Sequence, residues 1–183
     1  ELMAVDRFGL RAQAPSGWRL AIERRGSALA AAPPGVAPLR RGLAPQSVEP
    51  NGEVSHPVLH AATVDLPTGR GDFGSGVVDL LGSEDVFIAL VEYGSDVADQ
   101  GLFAARGMPR LAPSQFGADR LQRPLPGRSA SQHFFSVGGR AFCLFTVIGS
   151  HARRMATVPR AAEVVRGFGV TDRATMVRRG DMS

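Results

Sequence analysis

Three features of the sequence predict an α+β fold: a mostly antiparallel sheet of about six strands sandwiched by helices. Two strand-like runs, Ser131–Val137 and Arg140–Gly149, are separated only by Gly138-Gly139, and paired glycines accept the positive φ of a two-residue hairpin turn. Near the other end, Phe8–Ala14 and Trp18–Arg24 alternate apolar and polar residues. One late run, Val158–Phe168, carries helical spacing instead.

Taken in order, Phe8, Leu10, Ala12 and Ala14 share one side of a half-buried strand. Pro15-Ser16-Gly17 turns the chain, and Trp18, Leu20 and Ile22 line the next run, so the two runs are expected to pair as a hairpin. The Pro- and Ala-rich stretch 26–52 contains Pro33-Pro34, Pro38, Pro45 and Pro50. It precludes a long helix and predicts a long loop carrying Arg40-Arg41. Val58–Leu66 reads as a strand, 69–76 as a Gly-rich loop, and Val77–Leu81 fits either kind of element. Asp85–Tyr93 is almost continuously apolar and suits a central strand. Ser95–Ala105 predicts a short helix capped by Ser95, with Asp96 and Asp99 near its positive end. Pro109, Pro113, Pro124 and Pro126 make 106–130 a loop.

In the late hairpin, Phe142, Leu144, Thr146 and Ile148 face one way and Ala141, Cys143, Phe145 and Val147 the other, so this strand should be covered on both faces. Pro159 suits the first turn of the closing helix, Val158, Ala161 and Val165 form its buried stripe, and Gly169 ends it. These elements make one domain, 1–170, and the polar, Arg-rich 171–183 reads as a disordered tail.

A chain of 183 residues, 44% hydrophobic and 21% charged, can bury a core without metals or disulfides. The single cysteine, Cys143, excludes an intramolecular disulfide. No apolar run approaches the ~18 residues of a membrane span. The opening Glu1–Asp6 lacks the basic-then-apolar order of a signal peptide, which predicts a cytoplasmic protein. All 21 basic residues are Arg, a composition of high-GC genomes, and the pI near 10.8 rests on a formal excess of only +4. The charge is segregated. Residues 1–52 carry seven Arg and four acids, 53–105 one Arg and nine acids, and 106–183 thirteen Arg and four acids. Either the acidic and basic segments are neighbours that neutralise each other, or they form opposite faces, one of them for a partner.

The stretch Phe8-Gly9-Leu10-Arg11-Ala12-Gln13-Ala14-Pro15-Ser16-Gly17-Trp18 resembles the opening of the Mog1/PsbP-like superfamily, in which a strand runs into a Pro-x-x-Trp turn. The late hairpin and closing helix are similar to that superfamily's end. The Gly-Arg-Ala-Phe and Val-Ile-Gly-Ser stretches resemble an actinobacterial branch. The resemblance implies an antiparallel sheet sandwiched by helices and a non-catalytic accessory or binding role. It carries over no functional residue.

Candidate sites are few. His56 and His60 sit four apart, a metal-binding spacing on a helix; on a strand, as read here, they share a face ~13 Å apart, beyond one ion's reach. With Asp72 they form a candidate ligand-binding set beside the Gly-rich loop 69–76, which matches no phosphate-binding motif; its Arg-Gly-Asp tripeptide is common by chance. Cys143 and His133 suggest a nucleophile and base. However, the Gly138-Gly139 turn pairs Cys143 with Phe134 and His133 with Leu144, so the two side chains diverge and Cys143 reads as inert. No catalytic residue, metal or cofactor is therefore assigned. Arg106, Arg110, Arg120, Arg123 and Arg128 form a candidate partner surface, with thin aromatic interleaving for nucleic acid. The function expected is a non-catalytic accessory or protein-binding module. One alternative is a ligand-binding protein or enzyme with a pocket near 69–76; the other is nucleic-acid binding through the Arg-rich C-terminal third.

Overall fold

The computed structural model describes residues 1–26 and 55–180. The Pro- and Ala-rich stretch 26–52 with Arg40-Arg41 lies, apart from Gly26, outside the described residues. The strands are β1 (Leu2–Arg7), β2 (Leu10–Pro15), β3 (Arg19–Gly26), β4 (Ser55–Ala62), β5 (Val86–Tyr93), β6 (Ser129–Val137), β7 (Arg140–Ile148) and β8 (Gly169–Val170). Two helices follow β7: α1 (Arg154–Arg166) and, after β8, α2 (Arg173–Arg179). The fold is α+β, with two antiparallel sheets ordered β1-β2-β8 and β3-β4-β5-β7-β6.

The late hairpin follows its turn. β6 and β7 pair Val137 with Arg140, Phe134 with Cys143 and His133 with Leu144. All nine residues of β7 are buried, as a strand covered on both faces requires. β5 is buried at all eight positions and lies at the centre of its sheet.

Several expectations are corrected. The described residues form eight strands in two sheets, where about six in one were expected. The runs on either side of Pro15-Ser16-Gly17 do not pair: β2 joins β1 and β8, while β3 joins β4, so the turn crosses between sheets. The helix expected from Ser95 is two 3-10 turns, Ser95–Val97 and Gly101–Phe103, interrupted where Asp99 takes φ of 64°. The expected tail contains β8's continuation into α2, capped by the Asp172 carboxylate, which accepts from the Thr175 amide at 2.7 Å, and anchored by buried Met176. Helix α1 also begins earlier than read, which puts Pro159 inside it. Pro159 supplies no N–H to the Met155 carbonyl one turn back, and Met155 is exposed, so solvent can serve that group.

Helices do not sandwich the sheet. One face, with Leu59, Ile88, Leu90 and Leu144, packs on β2 and α1. The other, with Phe87, Val91, Cys143 and Phe145, is covered by Phe73, Val78, Leu81, Val97, Phe103 and Leu121 from irregular segments.

Arg140 ties the two sheets together. Its guanidinium is 1% exposed. Nε and Nη2 donate to the two carboxylate oxygens of Glu92 at 2.8 and 2.6 Å. Nη1 donates to the carbonyls of Gly9 and Thr171, and Nη2 to that of Phe8, each at 3.1 Å. All five N–H groups are thereby used. Two backbone bonds close the same junction: the Thr171 amide donates to Gly9 at 2.8 Å, and that of Arg173 to Gly138 at 2.7 Å. A Cβ on Gly138 would lie 2.8 Å from Asp172 Cα, and one on Gly9 would strike Met176 Sδ, so both turns need glycine for closeness as well as for φ of 60° and 73°.

Breaking a buried ion pair by removing one partner costs about 3–5 kcal/mol. Glu92→Gln is expected to lose about that much in urea denaturation. Arg140→Met should lose more, since it also strands three carbonyls. In Arg140→Met the Thr171 and Arg173 amides should exchange with solvent faster, and together; unchanged protection there would refute the tie.

Candidate functional site

The sequence-derived ligand set lies on β4 and the Gly-rich loop, on the face opposite α1. His60 and Asp72 meet there, through Asp72's backbone. His60 Nδ1 accepts from Arg70 Nε at 2.7 Å, which fixes the other ring nitrogen as the donor to the Asp72 carbonyl at 2.8 Å. Arg70 is 3% exposed and donates further to the Pro67 carbonyl at 2.9 Å and to Glu23 at 3.1 Å. Both nitrogens of His60 are thus engaged, and it pins the loop to the sheet without being available as a base. Arg70 was missed as a site residue. It is the one Arg among nine acids in 53–105, a lone cation whose position was the available signal.

His56 stands apart from that network. Its Nε2 is buried without a hydrogen-bond partner, as is the Tyr93 hydroxyl. Burial, with help from Arg24, pulls the His56 pKa down to about 4. Burial pushes the Tyr93 phenol well above its usual range. Among the described residues no three His, Cys, Asp or Glu side chains gather as a metal site would need.

Cys143 and His133 diverge as the register requires. Burial pushes the Cys143 thiol far up, which leaves no thiolate at neutral pH. His133, held below its usual range by burial, bonds Gln115 Oε1 at 3.1 Å on the other face.

The Gly-rich loop borders a cleft that the ligand set does not line. Phe73, Ser75, Val78 and Asp79 form one wall, Leu121 to Arg123 and Leu125 the other, and Phe145 and Val147 of β7 the floor, enclosing about 160 Å³. Phe73 meets Phe145 edge-on at 5.7 Å between ring centres. Asp79 and Arg123 form an ion pair at its rim. A more open depression lies beyond the same segment, lined from Ala118 to Arg128.

The five arginines of the candidate partner surface divide. Arg106 pairs with Asp99 at 3.2 Å and bridges to Ser136, near the end of β6. Gly117 bridges to Ala130 near its start, where Arg120, Arg123 and Arg128 follow. Arg120 lies 3.9 Å from Asp119, and Arg128 donates to the carbonyls of Leu81 and Asp79. Arg110 is exposed between these groups. Two of the five, Arg123 and Arg128, therefore line the cleft or the depression beside it, and Arg106 lies at the other end of β6.

Compared with known proteins, the chain matches no protein-family model, no curated protein and no solved structure. No helix among the described residues is long and apolar enough to cross a membrane.

His56 gives a pH signature. The folded protein keeps the ring neutral down to about pH 4, while the unfolded chain protonates it below 6.5. Between those values the unfolded state binds the extra proton, so stability falls as pH drops through that window. Comparing urea midpoints at pH 7 and 4.5, His56→Gln should be less acid-sensitive by about 2 kcal/mol, after allowing for the part of the ring that meets solvent. Parallel profiles would rule out the buried neutral ring.

Proposed function

We propose that this chain is a non-catalytic protein-binding module that takes one large apolar side chain of its partner into the cleft beside the Gly-rich loop. The observation that carries the reading is the cleft's size and lining. Small-molecule sites run to ~300–1,000 Å³, whereas this cleft holds about 160 Å³, close to the ~150 Å³ cavity that accepts one benzene. Its apolar lining with an ion pair at the rim is the pattern of an anchor pocket. Leu80, next in sequence to the cleft's Asp79, is a further exposed apolar side chain.

The alternatives draw less support. Both ring nitrogens of His60 are engaged in holding the loop, and Cys143 is buried, far from thiolate and paired across the hairpin with Phe134 rather than His133. Nucleic-acid binding would want arginines without counter-charges, yet Arg106, Arg120 and Arg123 face carboxylates. An accessory role of the Mog1/PsbP-like kind agrees with the Pro15–Trp18 turn between strands and the helix closing after the last long hairpin.

Panning a random-peptide phage library on the protein tests this. Enrichment for peptides sharing one large apolar residue is expected. Ser75→Trp, which places a bulky ring at an exposed position on the cleft wall, should abolish their binding while leaving the melting temperature within a few degrees. Enriched peptides that bind Ser75→Trp equally well would place recognition elsewhere.

A further inference from the structure

The open depression beside the cleft holds a cation that no carboxylate among the described residues answers. The Asp79 carboxylate is taken by Arg123, and Asp119 lies against Arg120. Arg128, in that depression, reaches only backbone: Nη2 donates to the Leu81 carbonyl at 2.9 Å and to the Asp79 carbonyl at 3.3 Å. Its Nε is buried and has no hydrogen-bond partner. That Nε is closed to an outside ligand, but the side chain is only half-buried, so its charge, unmatched by a carboxylate, can be met at the part left open, where a charged acceptor gains more than a neutral one. Arg128 lines the open depression that shares Leu121, Gln122, Arg123 and Leu125 with the apolar cleft. The cleft and the depression therefore adjoin, and a segment that fills the cleft can extend to Arg128.

Resting on the cleft reading, we propose that the partner presents an acidic residue next to its apolar anchor, and that this carboxylate is bound by Arg128. The ligand is an acidic peptide segment with one large apolar side chain. A phosphate polymer fits less well: its affinity comes from roughly 6–10 neutralised phosphates, and here a single unanswered cation sits beside an apolar hole.

Fluorescence polarisation with three labelled peptides of equal length decides the matter: a Phe flanked by Glu, the same Phe flanked by Gln, and Ala flanked by Glu. The Glu–Phe peptide should bind about fivefold tighter than the Gln–Phe peptide at low salt. That ratio should fall toward one at about 0.5 M salt. Arg128→Gln should erase the ratio and Arg128→Lys should preserve much of it. Should Arg128→Gln fail to fold, the wild-type ratio and its salt dependence still decide. Equal binding of the Glu–Phe and Gln–Phe peptides overturns the acidic flank and leaves the cleft standing. Binding of the Ala peptide as tight as that of the Phe peptides, or no binding by any of them, overturns the cleft itself.

Discussion

The buried guanidinium of Arg140 is the constraint on which the two-sheet arrangement depends. In the small sheet only β2 enters the core, through Leu10, Ala12 and Ala14, while β1 is exposed at five of six positions and β8 has two residues. Its turn at Phe8-Gly9 and the segment at Thr171 are instead drawn to one point at the start of β7, next to the Gly138-Gly139 turn. Only Arg can do this, since five N–H donors in a planar fork meet one carboxylate and three carbonyls at once, where Lys has three donors and no fork. The desolvation of such a cation is large, and it is offset here because Glu92 is paired through both oxygens and no N–H is left over.

The same pairing recurs at lower burial across the molecule. Glu84, Asp79, Asp99 and Glu92, all from the acidic middle, meet Arg153, Arg123, Arg106 and Arg140 from the basic last third. The segregation of charge along the sequence is thus partly cancelled in space. Exposed members of this set contribute little stability each. Around the cleft they leave Arg128 as a cation that no carboxylate among the described residues answers.

Elements with a local cause were legible in the sequence, and elements that depend on distant chain were not. Gly138-Gly139 fixed the β6–β7 register by itself, and the run at Val86–Tyr93, apolar but for Glu92, suited a central strand. β1 escaped notice because its exposed residues carry no burial period, and without β1 the next two runs looked like each other's partners. α2 is seven residues with a single buried side chain, too little for a periodic pattern, although Asp172 and the left-handed Gly180 bracket it. Of the site, the meeting of His60 with Asp72 followed from two neighbouring stretches. The cleft is assembled from residues 73–79, 121–125 and 145–147, which no spacing along the chain relates.

The division between engaged and unengaged groups is what separates structure from function here. His60, Arg70, Glu92 and Arg140 are the most chemically suggestive side chains of the chain, and each is bound to neighbours that use its polar atoms. A buried polar group saturated in this way sets the position of a loop or a turn, and His60 with Arg70 sets the Gly-rich loop against β4. Phe73, two residues beyond that loop's Gly71, is carried with it onto Phe145, and so the wall of the cleft is positioned by a network that does not touch what enters the cleft. The polar cluster is therefore the support, and on the proposed reading the apolar hollow, with Arg128 in the depression beside it, is the surface that meets a partner.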